Sequence, residues 1–498
     1  MPSALTAEPA FRDAGAGRFP VMPGGEAAEY DAVIVGAGPN GLAAAVTIAE
    51  AGRSVLLVEA AATVGGGTRS AELTLPHFVH DVCAAVHTFA AGSPFLRRLP
   101  LDRHGLHWAH PPTPLAHPLE RAAAVLERTP GATARQLGDG GDEWFRVLGV
   151  AATSWDDLAP ALLGPLVRVP RHPLALARFG LSALLPATTV ARRLRTPEGR
   201  ALFAGLAAHA FLPLESPLTA SFGIALAAAG HAWGWPFAEG GSQRLADALA
   251  ALLVDWGGRI ETGRRVGHLD ELPPAGAVLL DVTPAQLLAL AAGRLPDHYR
   301  RRLERFRYGP AVFKVDYALD GPVPWSAEPC TRAGTLHLGG SLEEIAEGER
   351  AVARGRHPER PFMLVAQPTV ADPGRAPPGR HVLWTYCHVP NGSTVNMTER
   401  MEAQLERFAP GFRERVLARH VMGPPDLERY DANYVGGDIS GGAHAGTQLL
   451  LRPVPTLAPY RTPVPDVYLC SSSTPPGAGA HGMCGHWAAR SALRHSLR

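Results

Sequence analysis

The chain has 498 residues, of which 47 are Lys or Arg and 46 are Asp or Glu, so its formal net charge is +1. A chain of this length can bury a large core and should form two domains. The balanced charge excludes a strongly basic or acidic protein, so we expect no nucleic-acid partner. Lys314 is the single lysine, and the abundance of Ala, Gly, Pro and Arg indicates a high-G+C, bacterial coding sequence.

The cysteines and the first residues bear on compartment and metal chemistry. Five scattered cysteines show no C-x-x-C spacing, so we expect neither a redox-active dithiol nor a zinc site. Their sparse, odd number fits a reducing cytoplasm. Residues 1–29 lack the apolar core of a signal peptide and are predicted to be a flexible tail. No uninterrupted apolar stretch is long enough to span a bilayer.

The segment Asp31–Glu59 carries the strongest motif. Ala32–Val35 is apolar without alternation, which predicts a buried parallel strand. A G-x-G-x-x-G turn at residues 36–41 follows, then an alanine-rich helix to about Ala51 and a second strand, Ser54–Val58. The order of strand, turn, helix and strand predicts a Rossmann-like βαβ unit that holds a pyrophosphate on the helix amides.

The residues of this unit have separate predicted roles. Gly36 permits the tight turn, Gly38 lets the backbone approach a pyrophosphate, and Gly41 lets helix and strand pack closely. Glu59 ends the second strand at about the distance expected for a ribose-binding acid. Because its carboxylate repels a 2′-phosphate, the nucleotide should be FAD or NAD rather than NADP. The glycine cluster 65–67 just beyond it is typical of FAD proteins.

Two segments that follow each leave two interpretations open. Three closely spaced histidines, His77, His80 and His87, are candidate metal ligands. Their spacing does not fit one helix face, so we expect them to be loop histidines and expect no metal site. Ala159–Leu194 is rich in leucine and alanine with arginines between them. It predicts either amphipathic helices packed on a substrate domain or an apolar surface that attaches to a membrane or forms the mouth of a lipophilic tunnel.

The central part of the chain predicts further core elements. The aromatic residues Trp233, Trp235 and Phe237 either wall an apolar cavity or belong to the core. A helix is predicted at Gln243–Trp256 and a buried strand at Ala277–Val282.

A second, antiparallel sheet is predicted beyond residue 310. Ala311–Leu319 alternates, and Phe362–Gln367 and His381–His388 fit the same sheet. Lys314 and Asp316 are predicted on its solvated face. Glu399–Ala418 has the charge pattern of a surface helix.

The last segments form glycine-rich loops. Gly436–Gly446 cannot be a core helix or a central strand, and His444 within it is an active-site candidate or a plain loop histidine. Val467–Cys470 is predicted as a strand. Ser471–Gly485 follows as a loop, and His486–Leu493 as a helix.

The fingerprint at residues 36–41, the cluster at 65–69 and the stretch Val467–Ala489 together resemble the FAD-dependent amine oxidase and phytoene desaturase superfamily. Within it the similarity is greatest to phytoene dehydrogenase-related oxidoreductases, the group that includes pyridine nucleotide-disulphide oxidoreductase domain-containing protein 2. One departure is that Gly67 stands where the superfamily has arginine, and Arg69 follows two residues later.

The resemblance implies an α/β fold in which a Rossmann-like, discontinuous FAD-binding domain carries an inserted α+β substrate domain. The FAD-binding domain would comprise 30–105, 232–285 and 425–498, and the substrate domain 106–231 and 286–424. The residues implied in FAD binding are Gly36, Gly38, Pro39, Asn40, Gly41, Glu59, Gly66, Gly67, Arg69, Val266, Gly479, Gly482 and Met483.

The function implied is that of an FAD-dependent oxidoreductase of the dehydrogenase or desaturase type. It would transfer hydride from a lipophilic or natural-product substrate to flavin N5, with His444 and His481 as the candidate catalytic proton acceptors. The electron acceptor stays open among oxygen, a quinone and another carrier. No second G-x-G-x-x-G follows a strand, so we expect no dedicated NAD domain.

Two other functions stay open. Relatives of the carotenoid desaturases include flavin-dependent isomerases without net redox change, and the same architecture resembles non-enzymatic escort proteins that hold prenylated partners. The expected location is cytoplasmic, and both peripheral membrane contact and a homodimer stay open.

Overall fold

A computed structural model describes residues 30–120, 122–165 and 169–498, so the predicted tail of residues 1–29 lies outside the described residues. In chain order the strands are β1 (Tyr30–Val35), β2 (Val55–Val58), β3 (Ser70–Ala71), β4 (His80–Asp81), β5 (Trp108–Ala109), β6 (Thr113–Pro118), β7 (Ala123–Leu126), β8 (Phe237–Ala238), β9 (Arg259–Glu261), β10 (Ala275–Leu280), β11 (Ala311–Leu319), β12 (Ala333–Leu338), β13 (Met363–Ala366), β14 (His381–Val389), β15 (Val416–Met422) and β16 (Val467–Leu469).

The helices lie between these strands, and α3–α10 follow one another between β7 and β8. They are α1 (Pro39–Glu50), α2 (Thr88–Ala91), α3 (Pro130–Gln136), α4 (Gly141–Trp144), α5 (Val150–Thr153), α6 (Trp155–Leu162), α7 (Pro173–Ala183), α8 (Ala187–Ala191), α9 (Pro197–Ala208), α10 (Thr219–Trp233), α11 (Gln243–Asp255), α12 (Pro284–Leu290), α13 (Asp297–Glu304), α14 (Glu328–Thr331), α15 (Leu342–Ala353), α16 (Thr398–Phe408), α17 (Pro424–Tyr430) and α18 (Met483–His495). Across these described residues, no helix combines the length and the apolar character that a membrane crossing requires.

The first sheet is parallel and has the strand order β16-β10-β1-β2-β9. Strand β2 and the last four residues of β1 are buried on both faces, which explains why these two strands are apolar without alternation. The predicted α/β class with a Rossmann-like parallel sheet is confirmed. The strands come from three separated parts of the chain, so residues near both ends of the sequence meet in one sheet. The exact domain boundaries stay a prediction.

Helix α1, near the amino end of the chain, packs against the carboxyl-terminal helix α18. It also packs against the sheet and against α11. Contact with α18 is so close that a Cβ on Gly485 would lie 1.7 Å from the carbonyl oxygen of Asn40. Thr47 Oγ1 lies 3.0 Å from His486 Nδ1 across the same interface. The carboxyl-terminal helix is therefore fixed against the helix that begins at the glycine turn.

The second sheet has the order β15-β11-β14-β13-β12-β6-β7 and is antiparallel except for the parallel pair β12 and β6. The predicted strand Ala311–Leu319 has the same bounds in the structure as β11. The predicted helix Glu399–Ala418 is wrong in its second half, because α16 ends at Phe408 and β15 begins at Val416. Pro410 and Gly411 interrupt the helix pattern, and the residues beyond them pair with β11.

The predicted solvated face of β11 is also wrong. Lys314 and Asp316 are buried and form an ion pair with each other. His80 Nδ1 lies 3.8 Å from Asp316 Oδ1. Alternation identified these side chains as sharing one face, but that face is covered by other parts of the chain. The two opposite charges neutralise each other there.

Candidate cofactor and substrate site

One cavity of about 1160 Å³ connects the glycine turn after β1, the loop after β16 and the side of the second sheet. The turn and the loop lie at the carboxyl ends of parallel strands in the first sheet. Ligands bind at this position in open α/β sheets. The cavity therefore joins residues that are more than 400 positions apart in sequence, including Asn40, whose Nδ2 donates to Ser472 Oγ at 3.3 Å.

The glycine turn has no room for side chains at two positions. Gly36 has φ of +99°, a left-handed conformation that favours glycine. A Cβ on Gly41 would lie 1.9 Å from the carbonyl oxygen of Gly36, so only glycine fits at this position in the first turn of α1. The amino end of α1 consequently faces the cavity, where its amides and dipole favour an anion.

The second glycine cluster lies directly on the first. Gly65 N–H donates to the carbonyl oxygen of Ala37 at 2.8 Å. Gly66 has φ of +51°, and a Cβ there would lie 3.0 Å from the Cα of Gly38. A side chain on Gly67 would meet the hydroxyl of Tyr434 at 1.9 Å. This packing gives a physical reason for glycine at position 67, where the superfamily has arginine.

Glu59 is held in place by backbone donors. Its carboxylate accepts from Ala37 N–H at 2.7 Å and from Ala61 N–H at 2.8 Å. Arg69 Nη2 lies 3.2 Å from Glu59 Oε1 and donates to the carbonyl oxygen of Thr63 at 2.8 Å. Both Glu59 and Arg69 line the cavity. The Arg69 guanidinium is thus directed at the acid and the adjacent loop.

Asp281, which the sequence analysis missed, lies against the same turn. It follows β10, and its Oδ2 accepts from Gly41 N–H at 2.9 Å. Burial, with Asp431 and Glu59 nearby, raises the pKa of Asp281 to about 8. An acid directly after a buried strand at a sheet's carboxyl edge was the signal that could have identified it.

The segment 429–434 crosses the cavity beside Asp281 and was also missed. Tyr430 Oη donates to the carbonyl oxygen of Gly66 at 3.0 Å. Asn433 Nδ2 donates to the carbonyl oxygen of Asp281 at 3.0 Å, and its Oδ1 accepts from Thr283 N–H at 3.1 Å. These bonds fix the segment to the second glycine cluster and to the residues that follow β10. No sequence signal distinguished this stretch from an ordinary helix end.

The loop after β16 forms the opposite wall. Residues 471–473, 475, 476 and 478–481 line the cavity. Gly477, Gly479 and Gly482 have positive φ, and Gly482 precedes the first residue of α18. The N–H of Met483 donates to Nδ1 of His481 at 3.1 Å. The side chain of His481 therefore caps the amino end of α18.

The two candidate proton acceptors differ in their hydrogen bonds. His444 Nδ1 lies 3.1 Å from the carbonyl oxygen of Ala210, so the neutral ring donates from Nδ1 and leaves Nε2 able to accept a proton. His481 accepts at Nδ1, so its neutral ring carries the proton on Nε2. Burial lowers the pKa of His444 to about 3 and that of His481 to about 4. Of the two neutral rings, only that of His444 leaves Nε2 without a proton.

The end of the cavity away from the glycine turn is apolar. It lies between α7, α10 and the second sheet. Its lining includes Leu162, Leu176, Phe179, Ala183, Phe211, Leu218, Phe222, Ala225, Leu226, Trp235, Leu364, Trp384 and Tyr386. Of the three predicted aromatic residues only Trp235 is in this lining. Phe237 lies in the core, and the Arg97 guanidinium stacks 3.5 Å over the ring of Trp233.

The structure brings most of the predicted site residues to this one cavity. Those in its lining are Gly36, Gly38, Pro39, Asn40, Glu59, Gly66, Gly67, Arg69, Val266, Gly479, His444 and His481. Gly41, Gly482 and Met483 lie just behind the lining, at the amino ends of α1 and α18. Their individual contacts with a ligand stay predictions.

The fold is that of an α/β protein with a Rossmann-like parallel sheet, and its cavity lies where open α/β sheets bind their ligands. A family model described as an NAD(P)-binding Rossmann-like domain matches residues 34–99. The chain is 27% identical over 547 aligned residues to pyridine nucleotide-disulfide oxidoreductase domain-containing protein 2 of Mus musculus, with 94% of each chain covered. It is 24% identical to a lycopene-forming phytoene desaturase of Pseudescherichia vulneris, over 55% of this chain and 59% of that one.

A solved structure adds evidence on the fold. A putrescine oxidase triple mutant superimposes with a TM-score of 0.59 at 18% identity, covering 94% of this chain and 98% of that one. At this identity the similarity shows the fold alone. Together with the sequence relatives it confirms the predicted resemblance to the amine oxidase and phytoene desaturase superfamily.

Proposed function

We propose that the protein is an FAD-dependent oxidoreductase that removes hydrogen from a neutral, lipophilic substrate. The observation that carries the proposal is the single cavity of about 1160 Å³, which joins a dinucleotide-binding end to an apolar end. Sites for one small molecule usually occupy about 300–1,000 Å³. The cavity is thus large enough for a cofactor and a substrate beside it.

The residues at the polar end fit FAD. The glycines at 36, 41 and 66 leave a bare backbone, and the amino end of α1 supplies amides and a positive dipole end for a pyrophosphate. Glu59 faces the cavity as a carboxylate that would accept ribose hydroxyls and repel a 2′-phosphate. Val266 lines the same end, and the resemblance to the superfamily implies that its backbone contacts the adenine.

The carboxyl-terminal loop supports FAD over NAD. It adds a second wall of glycine backbone, which a nucleotide bound only at the βαβ unit would not need. A bound flavin would supply the hydride acceptor, at N5, for a carbon–hydrogen bond placed against its ring. The chain's own residues bind, orient and enclose the reactants.

The substrate class follows from the apolar lining. The only Asp and Glu side chains among the described lining residues are Glu59, Asp281 and Asp431, and all three lie at the polar end. A protonated amine at the apolar end would have no carboxylate to balance its charge, and burying an unpaired charge is costly. A neutral, lipophilic substrate fits this lining better.

His444 supplies the proton acceptor of the proposal. Its Nε2 can hold the proton that the substrate releases, while its Nδ1–H keeps its bond to Ala210. Its low pKa makes it a weak base, which suits a substrate that has become strongly acidic by losing hydride.

The experiment is anaerobic mixing of the FAD-loaded protein with a panel of neutral unsaturated lipids and a matched panel of amines. We expect bleaching of the flavin absorbance by a neutral lipid, and a dehydrogenated product by mass spectrometry. A protein that binds no FAD, or one bleached by amines alone, would contradict the proposal. Turnover without bleaching or any electron acceptor would instead indicate the isomerase.

A further inference from the structure

Helix α7 carries apolar side chains on both its inner and its outer face. Its inner face contributes Leu176, Phe179 and Ala183 to the cavity. On the outer face, Leu174 and Leu181 are 76% and 77% exposed. A surface helix of a globular protein normally turns charged or polar residues outward. Leucines exposed together on one helix face indicate an interaction surface.

The cavity has an apolar rim at the end of this helix. Leu184 follows α7, is 63% exposed and also lines the cavity. Side chains that are both exposed and part of the lining lie where the cavity meets the surface. The outer leucines of α7 are therefore continuous with an opening of the cavity.

Arginines outnumber acids beside the exposed leucines. A groove of about 620 Å³ runs along α7, and its lining includes Arg146, Arg171 and Arg178 together with Leu174 and Leu181. Asp157 is the one acid among the described lining residues, and its carboxylate lies 3.5 Å from Nδ1 of His172. Arg171 and Arg178 form no salt bridge with any residue of the described ranges. Exposed leucines flanked by unpaired arginines are the combination by which interfacial helices bind anionic lipid.

We propose that the outer face of α7 docks on an anionic lipid bilayer, and that lipophilic substrates pass from the bilayer into the cavity beside Leu184. The docking part stands on the leucines and arginines alone. The substrate route rests on the proposed function. A protein partner would require acidic groups that match the arginines, and a second copy of this face would bring arginines against arginines.

The test is sedimentation of the full-length protein with phosphatidylcholine vesicles, with and without phosphatidylglycerol. We expect binding to the anionic vesicles and weaker binding to the neutral ones. The double variant L174S/L181S should lose most of the bound fraction, because it removes the exposed leucines that would enter the bilayer. Neither leucine lines the cavity, so the substitutions should affect docking alone. The double variant R171E/R178E should bind anionic vesicles roughly tenfold or more weakly, with less effect on neutral ones.

Two variants serve as matched controls. Leu417→Ser removes a leucine of β15 that is 47% exposed, and Arg354→Glu reverses an exposed arginine beyond α15. Both should bind vesicles as the wild type does. Thermal melts and flavin content should be unchanged in all variants, so a folding defect is recognised as such.

Three outcomes would overturn the proposal. They are a wild type that ignores anionic vesicles, an L174S/L181S variant that binds as well as the wild type, and a dimer that dissociates on these substitutions without any vesicle binding. The last would assign the face to self-association. Vesicle binding is measured on protein with and without FAD. The docking proposal is therefore tested even if the proposed oxidoreductase activity is not found.

Discussion

Asp281 and Gly41 are joined by a hydrogen bond at the amino end of α1, where the Asp281 carboxyl accepts from the Gly41 N–H at 2.9 Å. The residues come from different strand ends of the parallel sheet. A Cβ on Gly38 would lie 2.9 Å from the same carboxyl oxygen. An acid therefore occupies the region that the fold provides for an anionic pyrophosphate. Its protonation state decides how well that anion is accepted.

We expect FAD affinity to fall as the pH rises above about 8. The pKa of Asp281 is raised in the fold from its usual 3.8 to about 8, so the neutral acid is present at pH 7. Above that pKa a carboxylate charge would repel the pyrophosphate, and binding must then take up a proton. The dissociation constant should rise by up to about tenfold per pH unit above pH 8. Titration of the apoprotein with FAD between pH 6 and 9.5 measures it.

The control is Asp281→Asn, which keeps the acceptor oxygen and cannot ionise. Its FAD affinity should match the wild type at pH 6.5 and stay nearly constant to pH 9.5. A wild type whose affinity is also constant over this range would show that Asp281 does not face the pyrophosphate.

Gly41→Ala should abolish FAD binding. The new Cβ would lie 1.9 Å from the backbone oxygen of Gly36, so the turn and the first residues of α1 must shift. Overpacking of this kind costs about 1–3 kcal/mol of stability. Flavin content of the purified protein and its thermal midpoint are the measurements.

Gly131→Ala is the matched glycine control. Its Cβ in α3 would meet no atom closer than 3.7 Å, so stability should stay within about 1 kcal/mol and flavin content should be unchanged. Equal flavin content in both alanine variants would refute the assigned role of the glycine turn.

His444→Ala should slow anaerobic flavin reduction while leaving flavin content intact. The histidine offers a free Nε2 in the cavity, and loss of a positioned general base typically costs about 10²–10⁴-fold in rate. Because its pKa is about 3, no titration of His444 should appear in the rate between pH 5 and 9. Stopped-flow absorbance measures the rate once a bleaching substrate is known.

His481→Ala tests the other candidate in the same assay. Its ring caps the amide of Met483, so its loss should weaken FAD binding more than it changes the rate of the bound fraction. If His481→Ala slowed reduction and His444→Ala did not, the assignment of the proton acceptor would be reversed.

Lys314→Met should destabilise the second sheet. It leaves Asp316 buried without its cation, and breaking a buried pair in this way costs about 3–5 kcal/mol. The double variant Lys314→Met/Asp316→Leu removes both charges and should recover most of the loss. Urea unfolding of the apoprotein measures both. A double variant as unstable as the single one would show that the pair is not a self-contained unit.

The sequence by itself determined the parallel sheet and the position of the glycine turn at its carboxyl edge. The apolar runs of β1 and β2, the glycines at 36, 38 and 41, and Glu59 lie within 30 residues of one another. Local backbone conformation and strand burial set their roles, so a short stretch is enough to predict them. The alternation at residues 311–319 likewise predicted strand β11 with its correct bounds.

Only the tertiary structure decided what covers each face and what closes each site. Asp281, the segment 429–434 and the apolar side of α7 reach the cavity through packing between distant segments. The burial of Lys314 and Asp316 was mispredicted for the same reason, because alternation shows that residues share a face and not whether that face meets water. A pattern along the chain carries local geometry, whereas desolvation depends on neighbours that lie far away in the sequence.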